Sequence, residues 1–85
     1  MAEYSYRFST KALKQLSKLP GDVQKRVFAK LDFFCQADLI NYAEKLTSSD
    51  LGQYRFRVGD YRVLFDVDGT LVTILKVGHR REIYR

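Results

Sequence analysis

Three arginines, Arg55, Arg57 and Arg62, are spaced to stand together on one face of a short β-hairpin. The stretch YRFRVGDYRVLFD, Tyr54 to Asp66, alternates into and out of Gly59-Asp60, a two-residue turn signal. A two-residue loop sets Val58 opposite Tyr61, Arg57 opposite Arg62, Phe56 opposite Val63 and Arg55 opposite Leu64. Residues directly opposite in an antiparallel pair share a face. Tyr54, Phe56, Val58, Tyr61, Val63 and Phe65 then make a core face, and the guanidinium groups occupy the other. Like charges set opposite each other destabilise a sheet, so a surface needing only solvation would mix its signs. A guanidinium is planar, permanently charged and bidentate toward phosphate. Three on one rigid hairpin form a site for a polyanion, with phosphate the first expectation.

Further candidates lie near the C-terminus. Arg80 and Arg81 follow Gly78. Either they are a solvated terminal cluster, or the tail folds back beside the hairpin and adds Arg80 to the same patch. Tyr84, next to arginines, could stack on a base or pack against the sheet edge. Lys76, Arg81 and Arg85 are the further expected nucleic-acid contacts. His79 is the single histidine. With no second ligand type nearby, no metal site is expected. An imidazole titrates near pH ~6.5 and can move protons, but the more ordinary role here is to cap a turn. Cys35 reads as helix core and Asp60 as a turn former. The sequence has no Walker loop, GxSxG, zinc spacing or paired carboxylates, and no cofactor is expected.

The elements that must position these groups follow from periodicity. Glu3 to Phe8 alternates, with Tyr4, Tyr6 and Phe8 on one side of a first strand. Ser9 or Thr10 caps a helix whose apolar stripe is Ala12, Leu13, Leu16 and Leu19, with Lys11, Lys14 and Lys18 on the wet face. Pro20-Gly21 breaks it. A second helix carries Val23, Val27, Leu31 and Phe34 at helical spacing, flanked by Phe28 and Cys35. From Gln36 to Asp50 the periodicity fails, which predicts a loop with Leu46 returning to the core. Asp68-Gly69 is a second turn. Thr70 to Val77 is a β-branched third strand of the meander, which Gly78 ends or bends. The expected architecture is α+β: an N-terminal strand, an αα-hairpin and a three-stranded antiparallel meander (β-α-α-β-β-β). The helices pack on one face of the twisted sheet, and the arginine face is left open.

The chain has 85 residues, predicting one small domain over 1–85, and carries a net charge of +5 with a pI near 9.5. Such basicity fits nucleic acid, an anionic surface or an acidic protein partner. Arg55, Arg57, Arg62, Arg80, Arg81 and Arg85, six of the eight arginines, cluster late, whereas six of the seven lysines precede them. A single cysteine allows no disulfide within the chain and suits a reducing cytosol. The N-terminus has no apolar segment of the signal-peptide kind, and no apolar run approaches the ~20 residues that span a bilayer.

The pieces KALKQLSKLP, EKL, YRFRVGDYRVLFD and VGHRREIYR, in that order, resemble the RelE/ParE superfamily of toxins of type II toxin–antitoxin systems. The pair YRxRVGDYRVL and VGHRxxxYR, about one strand apart, resembles its RelE-like branch. The resemblance covers nearly the whole chain and implies the fold just described. It also implies a metal-independent, ribosome-dependent endoribonuclease that cuts mRNA in the A site and inhibits translation in a prokaryotic cytoplasm. In the family the neighbouring 2′-OH attacks the scissile phosphate, leaving a cyclic phosphate and a 5′-OH. The implied partners are a cognate acidic antitoxin, in a toxin–antitoxin hetero-oligomer, together with mRNA and rRNA; no membrane is implied. Carried over residue by residue, the family's functional positions fall on Arg55, Arg57, Arg62, Arg80 and Tyr84. The best-known RelE-type member has lysines where this chain has Arg55 and Arg57. A guanidinium does not give up its proton, so the general base falls to Tyr84, His79 or water, with Glu82 the nearest carboxylate in sequence. Two other readings share the fold: a ParE-like poison of DNA gyrase, and a relative that only binds RNA or its antitoxin.

Overall fold

The structure is a computed structural model that describes residues 4–36, 44–45 and 54–83, with 44–45 by backbone alone. Strand β1 (Ser5–Phe8) leads into helices α1 (Thr10–Ser17) and α2 (Gly21–Gln36). A two-residue strand β2 (Glu44–Lys45) precedes the meander β3 (Tyr54–Val58), β4 (Tyr61–Asp68) and β5 (Leu71–His79). The strands form one sheet in the order β1-β5-β4-β3-β2, with β1 parallel to β5 and the other pairs antiparallel. The α+β architecture expected from the sequence is therefore present, with one short strand added.

Ser9 makes the corner between strand and helix. Its N–H donates to the Ile74 carbonyl at 2.8 Å, closing the β1–β5 ladder, and its Oγ accepts the Ala12 N–H at 3.1 Å, capping α1. Pro20 and Gly21 separate the helices. The Pro20 carbonyl accepts the Gln24 N–H at 3.0 Å, and the Gln24 side chain donates to the Leu19 carbonyl at 2.9 Å. Ala12 and Leu16 from α1, and Val23, Val27, Leu31 and Phe34 from α2, bury themselves against one side of the sheet. There they meet Phe56, Val58, Val63, Phe65, Val72, Ile74 and Val77. The Phe34 ring stands edge-on to Phe56 at 5.4 Å, and Tyr54 stacks on Phe65 at 5.6 Å. Cys35 is buried and free, as its helical position predicts. Among the described residues no helix is long and apolar enough to cross a membrane.

Four expectations need correction. Leu13, assigned to the apolar stripe of α1, is 55% exposed. Eight helical residues present a narrow buried face, and Ala12 and Leu16 fill it. The last strand does not stop at Val77 but continues through Gly78 to His79, because β4 still has partners to offer there. Part of the predicted loop over Gln36–Asp50 forms β2, which pairs Glu44 with Arg55 and Lys45 with Tyr54. Two residues are too few for an alternation to register, and the free edge of β3 supplies the backbone groups they join. The return of Leu46 to the core lies outside the described residues. Finally, the arginine face is not fully open. Leu64, on that side of β4, is 0% exposed and Ile83 2%, and neither belongs to the main core cluster. A Cβ at Gly78 would lie 3.3 Å from Ile83 Cδ1. The C-terminal turn therefore folds over the end of this face.

A bulge decides which residues of β5 reach that face. Leu64 pairs with Lys76 and Phe65 with Ile74, so Leu75 is an extra residue. Val72 and Ile74 point to the helices. After the bulge the alternation is reset, so Val77 and His79 take the helix side and Lys76 and Gly78 the other.

Two outcomes follow for stability. Leu31→Ala should cost about 2–5 kcal/mol in chemical denaturation, whereas Leu13→Ala should stay within about 0.5 kcal/mol; equal costs would contradict the assigned packing. The Tyr6 hydroxyl donates to Asp32 Oδ1 at 2.9 Å, tying β1 to α2. Burial, and then that hydrogen bond to a carboxylate, push its pKa from 10.0 up to about 12. Between pH 10 and 12 the unfolded chain releases a proton that the native state keeps. The stabilisation from this group is fully present below pH 10, where it adds no pH dependence, and is lost as pH rises through that window. Tyr6→Phe should flatten the decline, and an unchanged slope would refute the linkage.

Candidate nucleic-acid interface

The β3–β4 register is the one the turn predicts: Arg57 lies opposite Arg62, Arg55 opposite Leu64, Phe56 opposite Val63 and Val58 opposite Tyr61. Arg55, Arg57 and Arg62 share the side of the hairpin away from the helices. Strand β5 continues the rows. Gly78 stands beside Arg62, Lys76 beside Leu64, and Thr73 beside Asp66. At the far edge Arg7 of β1 pairs with Thr73 and donates from Nε to its Oγ1 at 3.3 Å.

The hairpin turn is a fastening point for cations. Gly59 has φ +60, a left-handed conformation that costs glycine little. Arg62 Nη1 donates to the Gly59 and Tyr61 carbonyls, both at 3.0 Å. This fixes the guanidinium at the turn, and its Nε and Nη2 make no hydrogen bond among the described residues. Arg26 of α2 packs against the same turn: its Nη2 lies 3.0 Å from where a Cβ on Gly59 would be. Lys30, one helical turn on, donates to the Arg57 carbonyl at 2.6 Å. Asp60 holds the tail. Its carbonyl accepts the Arg80 N–H at 2.8 Å, and its carboxylate lies 3.9 Å from Arg80 Nε. Both side chains are more than half exposed (53% and 70%), so this ion pair contributes little to stability. It leaves the Arg80 guanidinium within reach of a ligand.

Of the two placements open for Arg80, the structure takes the folded-back one. The His79 carbonyl accepts the Glu82 and Ile83 N–H groups at 2.9 and 3.0 Å, closing a tight turn, and Ile83 seats in the notch left by Gly78. Arg62 and Arg80 are thereby held to neighbouring residues of one turn, with Arg57 across from Arg62. Lys76 lies half-buried on the same side, and Arg81 is exposed. His79 is not brought to this group. It pairs with Tyr61, its ring lies edge-on to that phenol at 5.5 Å on the helix side, and its Nδ1 accepts the Arg81 N–H at 3.2 Å. Tyr84 and Arg85 lie outside the described residues.

Sequence reasoning missed Arg7, Arg26, Lys30 and Asp66. Asp66 could have been found by extending the hairpin alternation from Arg62 through Leu64. Arg7 lies opposite the Tyr4–Tyr6–Phe8 side of β1, but the parallel pairing that carries it beside β5 leaves no local signal. Arg26 and Lys30 are spaced i, i+4 beside the Val27–Leu31 stripe, and their approach to the turn depends on helix placement. Among the described residues no group of three or more His, Cys, Asp or Glu side chains converges as a metal site would. Guanidinium groups held by backbone carbonyls, at the rim of an otherwise β-sheet surface, can bind phosphate oxygens and stabilise charge developing on them.

Comparison with known proteins shows what the chain as a whole is similar to. The family model described as the ParE toxin of the type II toxin–antitoxin system parDE matches residues 6–84. The chain is 36% identical over 88 residues to the toxin RelG of Mycobacterium tuberculosis, an alignment covering 96% of this chain and 97% of that protein. The toxin–antitoxin complex RelBE2 of M. tuberculosis superposes with a TM-score of 0.68 at 32% identity, covering 92% of this chain and 99% of the other. The archaeal RelE–RelB complex of Pyrococcus horikoshii gives 0.74 at 26% identity, with 96% and 99% covered.

The seating of the tail is open to test. Ile83→Ala should lower stability by about 2 kcal/mol or more and expose the bonds after Arg80 and Arg81 to trypsin. Unchanged stability and an unchanged digestion pattern by mass spectrometry would mean that Ile83 does not anchor the turn.

Proposed function

Because the chain belongs to the RelE/ParE superfamily of type II toxin–antitoxin toxins, with RelE-like relatives, we propose that it is an endoribonuclease. It would cleave mRNA on the ribosome, in a prokaryotic cytoplasm, and be held silent by a cognate antitoxin. The observation that carries the reading is the opposed pair Arg57–Arg62, with Arg80 fastened to the same hairpin turn.

The 2′-oxygen of one nucleotide bonds to the adjacent phosphorus, and the bond from phosphorus to the 5′-oxygen of the next breaks. The products are a cyclic phosphate and a 5′-OH. The proton of the 2′-OH passes to a base, and the leaving 5′-oxygen acquires one. As the phosphorane forms, negative charge gathers on the non-bridging oxygens, and Arg55, Arg57, Arg62 and Arg80 supply fixed positive charge to meet it. None of these guanidiniums accepts the proton. Tyr84 and a water are the candidates from sequence, and the register adds the carboxylate of Asp66 to the same face. The place of His79 on the helix side, with Nδ1 engaged, counts against it. No metal or cofactor enters the scheme.

Relatives solved as toxin–antitoxin complexes support an antitoxin partner, and the +5 net charge suits an acidic one. The description of the matching family model keeps a gyrase-directed ParE reading in view, while the RelG and RelE relatives favour the nuclease. Induced expression should arrest growth, and Arg62→Ala or Arg80→Ala should relieve the arrest. Cleavage of message mapped on translating ribosomes should fall about 10²–10³-fold in either variant, the scale for removing one charge-stabilising group. Intact transcripts accompanied by double-strand DNA breaks would replace the nuclease with the gyrase reading, and fully toxic variants would displace the site.

A further inference from the structure

A groove of about 580 Å³ opens beside the arginine face, between α1, the end of β5 and the C-terminal turn. Its origin is topological. Strand β1 pairs β5 only from Leu71 to Ile74, and at Ser9 the chain turns into α1. Beyond that point α1 runs beside the edge of β5, and Gln15 Oε1 accepts the Val77 N–H at 2.9 Å. That bond satisfies the edge and fixes the helix against it.

On an apolar floor of Leu19, Pro20, Val77 and Ile83 the lining carries charged side chains and two rings. Lys11 of α1, Lys18 at the C-cap of that helix and Lys76 of β5 are its cations, and Glu82 is its one acidic member. Tyr61 and His79, in edge-to-face contact at 5.5 Å, line it as well. Lys11 and Lys18 are two helical turns apart, ~10 Å along the axis. They are spaced for a stretch of backbone and not for a single phosphate. The groove and the arginine row also meet at one residue, Gly78, over which Ile83 is seated. Arg57, Arg62 and Gly78 follow one another across β3, β4 and β5, at ~4.8 Å per strand, and Gly78 is part of the groove lining.

We propose that this groove binds the single-stranded RNA flanking the cleavage site. The backbone runs past Lys11, Lys18 and Lys76, and one base lies against Tyr61 and His79. The inference rests on the reading of the arginine face as the cleavage site, and it adds a second contact region to it. An acidic peptide would use the lysines but not the rings, whereas every nucleobase has a face to stack. The rings favour RNA.

The test is binding of a fluorescein-labelled hexanucleotide RNA, 2′-O-methylated throughout so that it cannot be cleaved, titrated at several salt concentrations. The Lys11→Ala/Lys18→Ala protein should bind more weakly. Its plot of log affinity against log salt should be shallower by about 1.4, at ~0.7 for each single-strand phosphate that a lysine no longer neutralises. Lys14→Ala, on the same helix but away from the groove, removes a charge without touching the lining and should leave the slope alone. Moving one abasic site along the hexamer should cost about fivefold or more at one flanking position. An unaltered slope in the double variant, or an equal change in Lys14→Ala, overturns the groove as an RNA site. So does indifference to every abasic position combined with competition by polyglutamate, which would assign the groove to an acidic protein segment. Arg62→Ala separates the two readings. If it weakens binding while the lysine pair does not, the arginine face stands and the groove falls. If neither matters, or the unsubstituted protein fails to bind the hexamer in low salt, the groove falls, and the arginine face is judged by the toxicity of Arg62→Ala and Arg80→Ala alone.

Discussion

Gly59 holds its backbone at φ +60, and Arg62 attaches to the carbonyls of Gly59 and Tyr61 while the Arg80 N–H attaches to that of Asp60 between them. The bend does three things that no other part of the chain can do. It sets the register that opposes Arg57 and Arg62. It leaves a surface bare enough for Arg26 to approach within 3.0 Å of the missing Cβ. Through Asp60 it takes hold of the C-terminal turn and so brings Arg80 from the far end of the chain. A side chain at Gly59 would incur left-handed strain of roughly 1–2 kcal/mol and press on Arg26. The loss would then fall on the placement of several cations at once.

The bulge in β5 is the second constraint, and it works by parity. Strict alternation from Val72 and Ile74 would turn Lys76 and Gly78 toward the helices and Val77 toward solvent. One extra residue reverses this. Val77 fills the core, Lys76 joins the charged side, and Gly78 presents a bare backbone where Ile83 can seat. The arginine hairpin and the folded-back tail therefore depend on the same irregularity, although neither contains it.

What could be read from the sequence divides along the same line. The hairpin was legible because its information is local: a two-residue turn and a period of two fix which residues face each other. A helix cap at Ser9 or Thr10, of which Ser9 is the one used, the core stripe of α2 and the burial of Cys35 were legible for the same reason. The bulge was not, since TLVTILKV reads as a continuous strand and only pairing with β4 shows which residue is spare. Leu13 misled because an apolar residue at helical spacing says nothing of how wide a face the sheet can cover. Arg7, Arg26 and Lys30 look like ordinary surface charges in sequence. The place of Arg7 on the arginine side of the sheet comes from parallel pairing of the first and last strands, and the approach of Arg26 and Lys30 to the hairpin from where α2 crosses it, both non-local. Residue reasoning left two placements of Arg80 even, because the choice depends on a backbone contact with Asp60 twenty residues away.

Concentrating cations in this way sets the folded chain against itself. Arg57 and Arg62 face each other directly, with Arg26, Lys30 and Arg80 drawn to the same turn, and self-repulsion of this kind weakens a compact state. The protein limits the cost by tying the cations to backbone carbonyls, which attract without neutralising. Lys30 and Arg62 are held that way at 2.6 and 3.0 Å, while the carboxylate contact of Arg80 with Asp60 is loose and wet. A carboxylate in place of these carbonyls would relieve the repulsion further but would also cancel the positive field of Lys30 and Arg62. A small domain that keeps such a field gains stability from any anion that fills it, by mass action. The hydrogen bonds that hold the hairpin turn and its neighbouring helix together are thus the same ones that hold the positive charge in place, so fold and field cannot be altered separately.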